Sequence, residues 1–340
     1  MVTLKEVARK ANVSVATASR VINNRPSKIP ISEETKKKVL KAAEKLNYYP
    51  NIFARSLRTS KTGIVGVVVS DITDPYFGGI IDGIEKVLNE NDYYFLFSSV
   101  QNNPRKEELY LTKLRKSHVD GLLILGSTLG FTDNEVRQLV RSGIPIVVIG
   151  RRSPHPNISS VTVNNFAGGF LATEHLIKLG HRDIIHITTT EPRVDGNERM
   201  GGYRKAMEKY GLKDKCWIEK GDITAESGYK VMDNIFKKRS KRPTAIFTFN
   251  DMSAMGVMRR IKDQGLRIPE DIAVVGFDDI PLAIHFDPSL STVKQPQEKM
   301  GRKGADLLMR ILRKGDKSSV GENVVLETEL IIRRSSESIR

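Results

Sequence analysis

The chain has 340 residues, 39% hydrophobic and 28% charged, with a formal net charge of +15, which is too apolar for a disordered polymer and too long for one small core. Cys216 is the single cysteine, which excludes an intrachain disulfide and a thiolate metal cluster. The opening MVTLKEVARK carries charges where an export signal needs an apolar stretch, and the longest apolar runs, such as Ile64 to Val69, are too short for a bilayer, so the expectation is a cytoplasmic, cofactor-free protein with no membrane anchor.

Most of the positive excess lies at the front, where residues 1–62 hold 14 Lys or Arg against 4 Glu, a net +10. Such a field attracts polyanions and displaces their counterions, although a solvated basic surface has the same composition. The pattern within it is more informative. Leu4, Val7, Ala8 and Ala11 recur at helical spacing, which predicts a helix over Leu4 to Ala11 with Thr3 at its N-cap and Glu6 closing a capping box. Asn12 tolerates the left-handed conformation of a tight turn, and Ser14 can cap a second helix from Val15 to about Ile22. That helix would bury Ala18, Val21 and Ile22 and leave Val15, Ala16, Ser19 and Arg20 on an outer face that fits a major groove. A third helix is expected from Ser32, its N-cap, to about Asn47, burying Val39, Ala43 and Leu46 and exposing Lys36, Lys37, Lys38 and Lys41. Asn51 to Arg58 is about two turns of helix, too short to hold alone, and its Leu57 reads either as a wedge for a minor groove or as part of a local core.

From Gly63 onward, short apolar runs alternate with helical patterns: Ile64 to Ser70, Tyr93 to Ser99, Gly121 to Leu125, Ile144 to Ile149, Ile184 to Thr188, Ala245 to Phe249 and Ile272 to Phe277. Continuous apolar strands between helices indicate two parallel sheets, the second beginning near Val161. Ligands of such sheets bind beyond the carboxyl ends of the strands. There the sequence carries Asp71, Asp74, Tyr76 and Phe77, then Glu191, Arg193, Asp195 and Arg199, then Asn250-Asp251 and Asp278-Asp279. Carboxylates, an amide and a guanidinium can bridge neighbouring hydroxyls while a Phe ring covers an apolar sugar face, and a nucleobase would use the same ring differently. The Asn-Asp and Asp-Asp pairs read equally as caps of following helices.

Thr3-Leu4-Lys5-Glu6-Val7-Ala8, Val13-Ser14-Val15-Ala16-Thr17-Ala18-Ser19-Arg20-Val21-Ile22-Asn23, Ser32-Glu33-Glu34-Thr35, Pro50-Asn51 and Ala54-Arg55-Ser56-Leu57 together resemble the lactose/galactose repressor (LacI/GalR) family. The rest of the chain resembles type I periplasmic binding proteins. The fold this implies is α/β: an all-α helix-turn-helix DNA-binding domain over 1–50, a hinge helix and linker over 51–62, and a two-lobed core with parallel sheets. Its first lobe would take 63–161 and 293–322, its second 162–292 and 323–340, with Thr292 to Gln295 and Val324 to Ile332 returning the chain across both.

The resemblance also implies a transcriptional repressor that binds double-stranded, pseudo-palindromic operator DNA as a homodimer or larger assembly, under control of a small-molecule effector. It puts Val15, Ala16 and Arg20 at base-reading positions, Ser14, Thr17 and Ser19 near phosphates, and Leu57 at the operator centre, with Asn23, Asn51 and Ala54 completing the DNA-binding set. Of the readers, Arg20 alone can make a bidentate contact to guanine, since Val15 and Ala16 offer only apolar contacts. In the cleft, Asp71, Phe77, Arg199, Asn250 and Asp278 match ligand-contacting positions, and Tyr76, Arg193, Asp195 and Ile223 match the lining. The sequence departs from the family at Asn12, where a turn glycine is usual, at the small Ala18, and in the longer stretch Arg25 to Ile31. Ile223 replaces an aromatic ring that stacks on the ligand in some members.

No catalytic residue is expected, because the phosphate-cradling, nucleophile-elbow and metalloprotease motifs are missing. No metal is expected either: among the six histidines only His181 and His186 approach ligand spacing, and their separation runs into a strand. Carbohydrate is the expected effector class, because Asp71, Asp278, Asn250 and Arg199 suit a polyol; a nucleobase-like ligand also fits, and these residues leave open whether the ligand releases DNA or promotes binding.

Overall fold

The computed structural model describes residues 2–22, 30–48, 61–126, 143–153, 155–190, 193–238, 242–314 and 321–337. They form two compact units, Met1–Gly63 and Ile64–Arg340. Asn23, Asn51, Ala54 and Leu57 of the expected DNA-binding set, and most of the stretch from Arg25 to Ile31, lie outside the described residues.

The first unit holds helices α1 (Leu4–Lys10), α2 (Val15–Ile22) and α3 (Glu33–Lys45). Thr3 and Glu6 make the full capping box: the Thr3 amide donates to Glu6 Oε2 at 2.7 Å and the Glu6 amide to Thr3 Oγ1 at 3.4 Å. Ser14 and Ser32 accept from the Thr17 and Thr35 amides at 3.0 and 3.2 Å, so each helix starts on a side-chain oxygen. Asn12 has φ +53°, the left-handed turn conformation in which Asn stands in for glycine. Val7, Ala8, Ala11, Ala18, Val39 and Ala42 form a core of small side chains, which lets the three helices approach closely. On α3 it is Ala42, rather than the expected Ala43, that is fully enclosed, while Ala43 and Leu46 pack half-buried at its rim. The inward stripe of a helix falls between i+3 and i+4, and Val39 and Ala42 lie nearer its centre.

The second unit contains two six-stranded sheets. The first runs in the order β11 (Asn323–Leu326), β5 (Ser159–Val163), β4 (Ile146–Ile149), β3 (Gly121–Leu125), β1 (Ile64–Val69), β2 (Tyr94–Ser99), all neighbours parallel. The second runs β12 (Glu329–Ile331), β10 (Ser291–Lys294), β9 (Ala273–Asp278), β8 (Ala245–Thr248), β6 (Ile184–Thr189), β7 (Trp217–Gly221). In it β12 pairs antiparallel with β10, so the expected parallel sheet is mixed at one edge. Strands β1, β3 and β4 are apolar because helices cover both faces, and almost every residue in them is buried.

Two strands escaped the apolar pattern. Strand β5, SSVTV, is buried throughout although three of its residues are polar; Ser160 Oγ bonds Asn323 Oδ1 at 2.6 Å and Ser159 Oγ accepts from the Glu322 amide at 3.1 Å, so its hydroxyls dock the β11 segment. Strand β7 lies at a sheet edge and is half-buried. The strands therefore sit past the expected divisions at 161 and 322, because β5 ends at Val163 and β11 belongs to the first sheet.

Covering helices are α4 (Tyr76–Glu90), α5 (Pro104–Lys116), α6 (Asn165–Lys178), α7 (Val194–Lys209), α8 (Ala225–Lys238), α9 (Asp251–Asp263) and α10 (Gln297–Lys314). Helices α6 and α7 cross at glycines: a Cβ on Gly169 would lie 2.2 Å from the Arg199 carbonyl oxygen, and one on Gly202 2.1 Å from that of Phe166. Only bare backbone permits this approach. It sets where α7, and the Arg199 side chain it bears, stands over the sheet.

Candidate functional site

On the first unit, α2 presents exposed Ala16 and Arg20 and a Val15 that is 45% exposed. Ser14 is exposed and Thr17 half-buried, their hydroxyls 2.9 Å apart at the helix start. Ser19 differs from expectation, being 9% exposed rather than on the open face. Its short side chain stays close to the helix backbone beside the fully buried Ala18, at the edge of the inward stripe. Lys37 and Lys41 stand open on α3, whereas Lys36 and Lys38 pair with Glu33 and Glu34 one turn back at 2.6 and 2.7 Å, which reduces the local field they supply.

In the second unit all nine expected cleft residues, Asp71, Tyr76, Phe77, Arg193, Asp195, Arg199, Ile223, Asn250 and Asp278, line one cavity with about 520 Å³ of space, counting its mouth to solvent. Ser70, Asp74, Asn102, Gly126, Gly150, Phe249 and Gln295 complete the wall. The reason is topological. In both sheets the strands end toward this crevice: residues past β1, β2, β3, β4, β6, β7, β8 and β10, and Asp278 at the end of β9, all reach it.

Arg199 anchors the floor. It is 4% exposed, its Nε donates to Asn165 Oδ1 at 3.0 Å and its Nη1 to the Phe249 carbonyl at 2.6 Å. Its guanidinium carbon lies 3.7 Å from the Phe277 ring centre and 4.4 Å from that of Phe249, a cation–π setting that lysine could not reproduce with the same planar fork. Asp278 faces it, with an oxygen 3.9 Å from Nη1. Burial pushes the Asp278 carboxyl well above its usual range against the pull of Arg199, and Asp251 and Asp74 add to the rise. Asp278 also has φ +122°, a conformation that costs a non-glycine residue energy and that a surrounding structure must impose. Gln295 and Gln297 hold it: Gln295 Nε2 donates to Oδ1 at 2.7 Å and Gln297 Nε2 to the main-chain carbonyl at 2.9 Å.

At the mouth, Arg193 pairs with Asp195 at 3.3 Å. Burial raises the Asp195 carboxyl, but Arg193 and Arg199 outweigh it and hold the group below its usual range. Asp71 caps its own loop, accepting from the Thr73 amide at 2.9 Å and from Asn102 Nδ2 at 3.4 Å. Asn250 serves both readings given above: its Oδ1 accepts from the Ser253 amide at 2.9 Å, capping α9, while its Nδ2 donates to the Ile223 carbonyl at 2.9 Å and fixes the wall there. Asp251 and Asp279 are structural. Asp251 is fully buried and accepts from Thr292 Oγ1 and the Ile280 amide at 2.5 and 2.9 Å, and Asp279 pairs with Arg333 at 2.6 Å.

Gln295 and Phe249 were not anticipated. Gln295 sits in what reads as a connection, and Phe249 reads as the last residue of a strand that in fact ends at Thr248. Inspecting the residue just past every strand, β10 included, would have found both. His186 lies between Tyr203 and Phe247, with ring centroids 5.4 and 4.6 Å away, and burial pushes its pKa down to about 3, which makes it a neutral core residue. Among the described residues no group of His, Cys, Asp or Glu is arranged to hold a metal ion, and no helix is long and apolar enough to cross a membrane.

Residues 3–51 match the family of bacterial regulatory proteins named lacI, and residues 173–336 match the periplasmic binding protein-like domain. The HTH-type transcriptional repressor PurR of Histophilus somni (strain 129Pt) is 35% identical, covering 100% of both chains. That of Edwardsiella ictaluri (strain 93-146) is 36% identical over 98% of this chain and 97% of its own. Among solved structures, a lac repressor dimer bound to operator and the anti-inducer ONPF shares 27% identity at a TM-score of 0.85, covering 98% of this chain and 99% of that one. A complex of the transcriptional regulator CelR with cellobiose shares 33% at 0.72, covering 98% and 100%. A regulator from Enterococcus faecium with bound ribose shares 25% at 0.74, covering 82% and 100%.

Proposed function

Because the chain belongs to the LacI family of bacterial regulatory proteins, we propose that it is a DNA-binding transcriptional repressor whose operator affinity is set by a neutral polyhydroxy ligand in the cleft. The observation that carries the ligand class is the arrangement of unused hydrogen-bonding atoms around Arg199 and Asp278. With Nε and Nη1 of Arg199 committed to Asn165 and Phe249, the Nη2 hydrogens remain uncommitted among the described residues, as does Oδ2 of Asp278. A guanidinium donor and a carboxyl oxygen that burial lets keep its proton thus line the same cavity, and vicinal hydroxyls, each both donor and acceptor, satisfy either form of the carboxyl together with the guanidinium.

A purine base is the second reading, favoured by the PurR name of the full-length relatives. A flat base needs exposed rings to stack on. Here Arg199 lies over Phe249 and Phe277, Phe77 is 5% exposed, and position 223 is aliphatic, which favours the polyol.

On the DNA side, Arg20 supplies the polar base contact, Val15 and Ala16 the apolar ones, Ser14, Thr17 and Ser19 lie near phosphates, and Asn23, Asn51, Ala54 and Leu57 complete the interface. A homodimer reads both halves of a pseudo-palindrome. A ligand that binds one lobe arrangement better than another shifts operator affinity by that difference, and operator shifts ligand affinity reciprocally. The test is fluorescence anisotropy of the full chain on a selected operator at fixed salt, titrated with ribose, cellobiose and hypoxanthine. Binding should weaken steeply with salt, and a sugar should change the affinity. A response to hypoxanthine alone would replace the polyol reading, and no response to any ligand would remove the coupling.

A further inference from the structure

Gln295 lies in the segment joining β10 of the second sheet to α10, which covers the first. It is 4% exposed, lines the cleft, and bonds a residue of each lobe. The Tyr76 hydroxyl, at the start of α4, donates to Gln295 Oε1 at 3.0 Å, and Gln295 Nε2 donates to Asp278 Oδ1 at 2.7 Å. An amide has one accepting and one donating end, so the two bonds fix each other's direction. The proton of Tyr76 is committed to Gln295, with Met300 Sδ at 3.9 Å as its other neighbouring acceptor, and one oxygen of Asp278 is already filled.

We propose that Gln295 is a positioning residue that commits the Tyr76 proton and one oxygen of Asp278, leaving the Tyr76 hydroxyl oxygen as an acceptor and Asp278 Oδ2 as the open carboxyl oxygen of that wall, and so selects which hydrogen-bonding groups of a ligand fit there. This rests on the cleft being the effector site. The same amide ties the first lobe to the second beside a chain crossing, so a ligand that engages Tyr76 or Asp278 acts directly on the join between lobes. The charged groups around Asp278 come from three other elements: Arg199 on α7, Asp251 on α9 and Asp74 ahead of α4. None of them touches Tyr76 and Asp278 together by a hydrogen bond, as Gln295 does.

The test uses the full chain with Gln295→Met, nearly isosteric but without the amide, and Gln295→Glu, which still accepts from Tyr76 but sets a second carboxylate against Asp278. In the ligand-free protein, carboxyl-carbon NMR should show the Asp278 midpoint rising by about one unit or more in Gln295→Met, through loss of a donor to the carboxylate, and further in Gln295→Glu. Calorimetric titration with ribose, cellobiose and hypoxanthine should show at least a tenfold loss in both variants for any probe that the wild type binds. An unmoved Asp278 midpoint in whichever variant folds overturns the positioning role. A moved midpoint with unchanged affinity for a probe that binds overturns the selectivity role. A moved midpoint when the wild type binds none of the probes upholds the positioning role and counts instead against the polyol and purine readings of the cleft.

Discussion

Gly169→Ala should disable the cleft from a distance. Its new Cβ would lie 2.2 Å from the Arg199 carbonyl oxygen and 2.9 Å from the Arg199 Cα, where ordinary contact begins at 3.4 Å. The shortfall, 3.4 less 2.2, means that α6 and α7 must part by about 1.2 Å at this point. Both neighbours are backbone within helices, so no side chain can rotate aside. Overpacking of this kind costs about 1–3 kcal/mol, and each kcal/mol lowers the melting temperature of a domain this size by about 2–4 °C. The guanidinium is held by a 2.6 Å bond to Phe249 and a 3.7 Å approach to Phe277, neither of which survives such a displacement. Affinity for the ligand should therefore fall by about tenfold or more, as when a hydrogen bond to a charged group is lost. Gly201→Ala is the control, because its Cβ would meet only the Phe166 ring at 3.3 Å. Thermal melts and calorimetric titration of both variants decide the matter. A Gly169→Ala protein that melts within a degree of wild type and binds ligand normally refutes the reasoning, and equal damage from Gly201→Ala would show that helix content rather than contact is responsible.

Arg20→Ala should cost about 1–3 kcal/mol on the cognate operator and relax preference at one base pair per half-site; binding-site selection that returns the same sequence would remove Arg20 from the reading face. Asn12→Val forces a β-branched residue into φ +53° and should destabilise the first unit by about 1–2 kcal/mol, seen as a lower urea midpoint, while Asn12→Gly should not. Burial pushes the Asp251 carboxyl up to about 7, so the unfolded chain releases this proton first and the folded state loses stability as pH rises from about 4 to about 7. Asp251→Asn carries no such dependence. Its melting temperature relative to wild type should climb between pH 5 and pH 8, by a contribution of at most about 4 kcal/mol, and a flat difference would exclude the assignment.

The helices of the first unit are legible because their signals are local. Caps at Thr3, Ser14 and Ser32 and a turn at Asn12 specify where each begins or stops, and the 3.6-residue period specifies which face turns inward. Ser19 shows the limit of that period, since a short side chain at the edge of the inward stripe is shielded along with buried Ala18 next to it. Strands covered on both faces announce themselves as apolar runs, whereas β5 hides its identity in hydroxyls that bond to a segment more than 150 residues away. The cleft was readable in outline from one rule about strand ends. What the rule could not supply is the pairing within it: that Arg199 lies over Phe277, that Asp278 takes an unusual φ, and that Gln295 joins Tyr76 to Asp278.

The interleaving of the two sheets has a consequence for how the protein is made. As the chain is synthesised, β1 to β5 emerge early, but α10, which packs against that sheet, and β11, which completes its edge, belong to the last part of the chain. Until then the first lobe presents an uncovered apolar face and an open strand edge, the features that invite association with other chains. Neither lobe can be finished and set aside while the other is built. A ribosome that stalls or a protease that cuts ahead of Gln297 therefore leaves two incomplete lobes rather than one working half.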